Sequence, residues 1–104
     1  MGKVVIVDND LVALSLFEQM LEQYVDQYDI EFIHEPEEAL SILEHEDVYV
    51  LISELNMPLF SGSELFSFCN DVSPKTIQVG MTKVENVQDT LQIVNECNLY
   101  KLRC

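Results

Sequence analysis

Val48-Tyr49-Val50-Leu51-Ile52 is an unbroken apolar run, and it stops abruptly at Ser53-Glu54-Leu55-Asn56-Met57-Pro58, with Gly62 following. A continuous apolar stretch of this length suits a strand covered on both faces, the condition of an interior strand in a parallel sheet. The polar, proline-containing segment from Ser53 to Gly62 reads as irregular chain leaving the end of that strand.

Working outward, short strands and helical spacing alternate. Downstream, Ser61 and Glu64 have the spacing of a capping box for a helix carrying Leu65, Phe66 and Cys69. Thr76 to Met81 reads as a fourth strand, weakened by Gln78 and Gly80. Thr82 and Glu85 repeat the capping-box spacing before Val87, Leu91 and Val94, and Leu99 to Leu102 suits a fifth strand. Upstream, Pro36 fits the first turn of a helix through Ala39, Leu40 and Leu43, preceded by a strand at Ile30 to Ile33. Val4-Val5-Ile6-Val7 is the first strand. From Leu11, apolar residues recur at Leu14, Phe17, Leu21, Tyr24 or Val25, and Tyr28, which predicts an amphipathic helix of about five turns.

This order predicts one α/β domain over residues 1–104, with a parallel sheet between two helical layers. In such sheets the functional edge lies at the carboxyl ends of the strands. Those ends carry Asp8, Asn9 and Asp10, then Ser53 and Glu54, then Thr82 and Lys83. Carboxylates gathered there suit a hard cation such as Mg²⁺. Each has a plainer reading as well, since Asp8, Asn9, Asp10 and Thr82 are all good helix caps. Glu54 is harder to explain as structure alone, because a carboxylate at the end of a buried strand is costly without partners.

Composition narrows the classes. The 104 residues include 19 acids and 5 bases, a formal charge of −14, with 48% hydrophobic residues. That apolar content supports a folded core, and the charge makes nucleic acid and anionic membrane poor partners. No apolar stretch reaches the ~20 residues of a membrane span. Three cysteines without paired spacing suit a reduced, cytoplasmic setting. The first strand–helix turn has no glycine, which excludes a dinucleotide fingerprint. Ser61-Gly62-Ser63 is not a nucleophile elbow, and His34 and His45 are isolated and expected to face solvent.

Three stretches together resemble the receiver domain of two-component response regulators. They are Val4-Val5-Ile6-Val7-Asp8-Asn9-Asp10, Pro36-Glu37-Glu38-Ala39-Leu40, and Val50 through Pro58 with Gly62, and the resemblance spans essentially the whole chain. It implies a flavodoxin-like, CheY-like fold, doubly wound, with a five-stranded parallel sheet in the order 2-1-3-4-5. It also implies phosphoryl transfer from a histidine kinase to an aspartate, with Mg²⁺ in an acidic pocket. By this resemblance Asp8 is the first pocket aspartate, and Asn9 stands where the second is usual. Glu54 occupies the acceptor position, Asn56 supplies a carbonyl to the metal site, and Thr82 is the switch hydroxyl. A weak metal set of Asp8, Glu54 and Asn56 follows.

One register of the tail puts Tyr100 at the aromatic switch position and Arg103 in place of the family's lysine. A second follows Asn95 to Lys101, which resembles receivers attached to HD-type phosphodiesterases, and aligns Leu102 with the aromatic. A glutamate is one methylene longer than an aspartate, about 1.5 Å, and Asn9 removes a charge. Both changes point to an atypical receiver that works without phosphorylation, as a non-enzymatic interaction module for a kinase or effector. Its output surface is expected around Val84 to Arg103. The resemblance implies a fifth helix, and the chain stops at Cys104 before one can form. An uncovered sheet face beside the first helix, closed by a second copy as a homodimer, is therefore expected. The alternatives are a conventional receiver that still takes Mg²⁺ and a phosphoryl group, and a haloacid-dehalogenase-type phosphatase built on Asp8-x-Asp10.

Overall fold

Five parallel strands form the sheet: β1 (Lys3–Val7), β2 (Ile30–Ile33), β3 (Val48–Glu54), β4 (Ile77–Met81) and β5 (Lys101–Arg103), in the spatial order β2-β1-β3-β4-β5. Among the described residues, α1 (Leu11–Met20), α2 (Pro36–His45) and α3 (Gly62–Val72) follow β1, β2 and β3. This computed structural model describes residues 2–58, 60–82 and 101–103, the last three as backbone only. The expected helix carrying Val87, Leu91 and Val94 lies outside the described residues. So do Lys83, Tyr100, Cys97, Cys104 and most of the expected output surface from Val84 onward.

The sheet order and parallel crossovers are those of the flavodoxin-like fold. β1 lies between β2 and β3, and β3 between β1 and β4; β1 is buried from Val5 to Val7, whereas β3 is only partly covered, with Tyr49 57% exposed and Val50 and Ile52 half-buried. The main core fills the face under α2 and α3, where Val5, Val7, Leu51, Leu55, Leu65 and Phe66 are fully buried. Ile6 and Leu14 are buried apart from that cluster, Leu14 being the one buried residue of α1. Gln78, which weakened the sequence reading of β4, is buried there with a task. Its Nε2 donates to the Phe66 carbonyl at 3.2 Å and to Asn70 Oδ1 at 2.8 Å, tying β4 to α3.

The first helix is shorter than its periodicity suggests. It ends at Met20, and Glu22–Tyr24 continues as a single 3₁₀ turn. Length explains the stop. Ten helical residues rise ~15 Å, which matches the ~16 Å of a five-residue strand, whereas five turns would rise ~27 Å. The chain must return to begin β2 at Ile30, so a helix through Tyr28 would overshoot the sheet. Tyr24, Val25 and Tyr28, read as core-facing, are 40–45% exposed.

At the opposite end of the sheet from the acidic loops, Lys3 gathers three carboxylates. Its Nζ lies 2.7 Å from Glu31, 3.3 Å from Glu46 and 3.6 Å from Asp29, and its side chain is 13% exposed. The bond to Glu31 is the main force holding this ammonium well above the usual lysine range, and partial desolvation opposes it. The carboxylates are 40–63% exposed, which screens the network. Lys3→Met should therefore cost only about 1–2 kcal/mol, measured as a shift of the urea midpoint at constant slope. Because the folded-state pKa is raised, this contribution is fully present below the unfolded lysine value of about 10.4 and disappears as pH rises through the folded value. The wild-type and Lys3→Met stability curves should thus stay parallel at neutral pH and converge in strong alkali.

Candidate functional site

The carboxyl ends of β1, β3 and β4 bring the candidate residues to one edge. β1 delivers Asp8, which is 4% exposed, and its Oδ1 accepts the Asp10 N–H at 2.9 Å. That bond fixes the turn into α1. Asp10 has a different role from Asp8: it is the N-cap of α1, its Oδ1 accepting the N–H groups of Val12 at 3.0 Å and Ala13 at 3.4 Å. The plainer reading, capping, describes what the Asp10 side chain does. Asn9 lines a cavity of about 390 Å³ together with His34, Glu35, Pro36, Glu37, Met57 and Phe60.

β3 delivers Ser53 and Glu54. Ser53 is fully buried, and its hydroxyl donates to the Glu54 carbonyl at 3.0 Å. Glu54 is half-buried, and its Oε1 accepts the Asn56 N–H two residues on at 3.1 Å. The loop is held on both sides: the Leu55 N–H donates to the Met81 carbonyl at 2.9 Å, and the Gly62 N–H to the Leu55 carbonyl at 3.1 Å. Gly62 begins α3 behind its N-cap Ser61, whose hydroxyl accepts the Glu64 N–H at 3.3 Å, as the capping-box spacing implies.

β4 delivers Thr82, which is 5% exposed. Its Oγ1 accepts from Asn56 Nδ2 at 3.0 Å. Sequence reasoning gave Asn56 only a backbone role. Its side chain joins the loop after β3 to the exit of β4, a link between residues 26 apart that no local pattern announces. Breaking it with Asn56→Ala should cost about 1 kcal/mol, and a double-mutant cycle with Thr82→Ala in urea should return a coupling of about 0.5–1.5 kcal/mol. A coupling of zero would mean that the bond is absent in solution.

Strand register places the remaining candidate. Glu54 pairs with Met81, and Met81 with Arg103, so Arg103 occupies the same cross-strand row as Glu54 two strands away. At ~4.8 Å per strand its backbone lies roughly 10 Å from that of Glu54. His45 is exposed, with Nδ1 2.9 Å from the Ser41 carbonyl. His34, expected in solvent, is half-buried in the wall of the Asn9 cavity because β2 ends there against α2.

Of the acidic candidates, Asp10 caps α1, and Glu54 Oε1 accepts the Asn56 N–H. Among the described residues no three His, Cys, Asp or Glu side chains gather to hold a metal. Asp8, Glu54 and Asn56 come to the same sheet edge, at the ends of β1 and β3. Among the described residues, no helix is long and apolar enough to cross a membrane.

Compared with known protein families, residues 4–99 match the response regulator receiver domain. No curated protein sequence matches the chain. Several solved structures share the fold. The signal receiver domain of an HD domain-containing protein from Pseudomonas fluorescens is 23% identical with a TM-score of 0.83, over 97% of this chain and 79% of that one. A CheY-like response regulator receiver domain protein from Methanospirillum hungatei is 21% identical with a TM-score of 0.78, over 99% and 80%. A response regulator from Burkholderia pseudomallei, with a phosphorylated aspartic acid, calcium ion and citrate, is 18% identical with a TM-score of 0.80, over 99% and 59%.

Proposed function

This chain belongs to the response regulator receiver domain family, and from that premise we propose that it is a two-component signalling module that acts without being phosphorylated. The family is generally a signalling module and not an enzyme, and this chain is read the same way. The observation that carries the proposal is the behaviour of Glu54. It stands where receivers resembling this one have the acceptor aspartate, and its carboxylate folds back to the Asn56 N–H. Phosphoryl transfer depends on in-line placement of the attacking oxygen and on neutralised charge. A carboxylate that is one methylene longer and bonded to the Asn56 N–H is displaced from in-line placement, and neutral Asn9 brings one charge fewer to the site than an aspartate would.

In this reading Asn56 does part of what a phosphoryl group does in the family: it holds the Thr82 hydroxyl toward the end of β3. The site then rests in one state, and signalling depends on which protein binds. The partners are proteins, a histidine kinase that docks without transfer or a downstream effector, together with a second copy of the chain as a homodimer. The setting is cytoplasmic. Nucleic acid and membrane are not partners of a surface at −14. Mg²⁺ binding is weak, and no step of the proposed function runs through it. The phosphatase reading loses its second carboxylate, since Asp10 caps α1.

Incubation with acetyl phosphate and Mg²⁺, followed by intact mass, tests the proposal. The expected result is an unchanged mass. A stoichiometric gain of one phosphoryl group would return the chain to the conventional receivers.

A further inference from the structure

The cavity beside the candidate site changes chemistry with depth. Of its lining residues Pro36 and Met57 are buried, Asn9, His34 and Phe60 are half-buried, and Glu35 and Glu37 are exposed. An apolar interior therefore opens through polar walls to an acidic rim. The volume, about 390 Å³, lies within the roughly 300–1,000 Å³ of small-molecule sites.

The polar lining groups are not spent on the fold. Asp10 caps α1 and Asp8 fixes the turn before it, which leaves the Asn9 amide outside both tasks. Glu35 is the N-cap of α2 but makes no side-chain cap bond, and Pro36 follows it, with no N–H to satisfy. Among the described residues, no hydrogen bond or ion pair engages the side chains of Asn9, His34, Glu35 or Glu37.

Charge selects the ligand. A helix start attracts anions, but the first turn of α2 already holds Glu37 and Glu38. Two carboxylates line the cavity and no lysine or arginine does, inside the field of a chain at −14. An organic cation with an apolar body satisfies both layers.

We propose that this cavity binds a small arylalkyl amine, its ring among Pro36, Met57 and Phe60 and its ammonium at Glu35 and Glu37, and that the ligand sets the state of the neighbouring site. The inference rests on the phosphorylation-independent function above and supplies the input such a module needs. Met57 and Phe60 belong to the loop after β3, just beyond Asn56, whose Nδ2 donates to Thr82 Oγ1. A ligand packed on both residues holds that loop and, through Asn56, the Thr82 hydroxyl.

Titration of the isotope-labelled full chain with phenethylamine, followed by amide NMR, tests it. Saturable shifts should appear at the lining residues with a dissociation constant of about 1 mM, and at Asn56 and Thr82 with the same midpoint. Phenethyl alcohol and phenylpropionate, of similar size but neutral and anionic, should bind about threefold or more weaker. Glu35→Gln with Glu37→Gln should weaken the amine by a similar factor, the thermal midpoint confirming that these exposed changes leave the fold intact. No saturable shift by about 10 mM amine, or equal binding of the three compounds, would overturn the site. Shifts at the cavity that leave Asn56 and Thr82 unmoved would overturn the coupling. A short Phe/Lys peptide that binds about tenfold more tightly than the amine would assign the cavity to a protein partner and overturn the proposal. The acetyl phosphate experiment separates the two levels: an unchanged mass without amine binding removes this inference alone, and a phosphorylated chain removes the function beneath it, whatever the titration returns.

Discussion

Gly62→Ala is expected to lower stability by about 2–3 kcal/mol, a fall of roughly 10–20 °C in thermal midpoint for a domain of this size. A Cβ at this position would lie 2.7 Å from the Glu54 carbonyl oxygen and 2.7 Å from the Leu55 Cα. Both are backbone atoms at the end of an interior strand, so neither can swing aside as a side-chain tip would. The helix-forming advantage of alanine over glycine, about 0.5–1 kcal/mol, is too small to reverse the sign. The same crowding would push the loop that carries Glu54 and Asn56 away from α3. The Asn56–Thr82 bond should therefore be lost along with stability, which amide hydrogen exchange at residues 55–57 and 82 would register. A midpoint within 3 °C of wild type would show that the close approach is not kept in solution.

Glu54→Asp should convert a chain that ignores acetyl phosphate into one that takes up a phosphoryl group. Shortening the side chain withdraws the carboxylate by about 1.5 Å, from the loop amide toward the space between Asp8 and Thr82. Asn9 still lacks the second charge, so transfer to the single variant should be slow. Adding Asn9→Asp should raise its rate by about tenfold or more, since the transition state depends on neutralised charge. Intact mass in the presence of Mg²⁺, with and without a chelator, reads both effects. If neither variant gains a phosphoryl group, the obstacle lies elsewhere than in these two residues.

The two effects differ in how far the sequence announced them. The strands were legible because Val4–Val7 and Val48–Ile52 are continuous apolar runs, although only the first is buried on both faces; Tyr49 of the second is exposed. The start of α3 was legible for an equally local reason, the Ser61–Glu64 cap. The end of α1 was not. Its apolar spacing continues through Tyr28, and only the distance back to Ile30 ends the helix at Met20. At the site, residue types were legible and their partners were not. Asp8 and Asp10 look equivalent in the sequence, yet Asp8 is 4% exposed and Asp10 caps a helix in solvent. The Asn56–Thr82 bond and the three partners of Lys3 join residues 26 to 43 apart, and separations of that size carry no local signal.

The position of β1 has a consequence for how the chain reaches this structure. It is made first, yet both of its neighbours come later: Val7 pairs with Ile33 on one side and with Ser53 on the other. During synthesis the Val4–Val7 segment waits with two open edges until β3 has left the ribosome. Parallel pairings at such separations close slowly, and unpaired apolar strands are the parts of a nascent chain that aggregate. Before folding is complete, a chaperone that binds short apolar segments should therefore find a target at Val4–Val7.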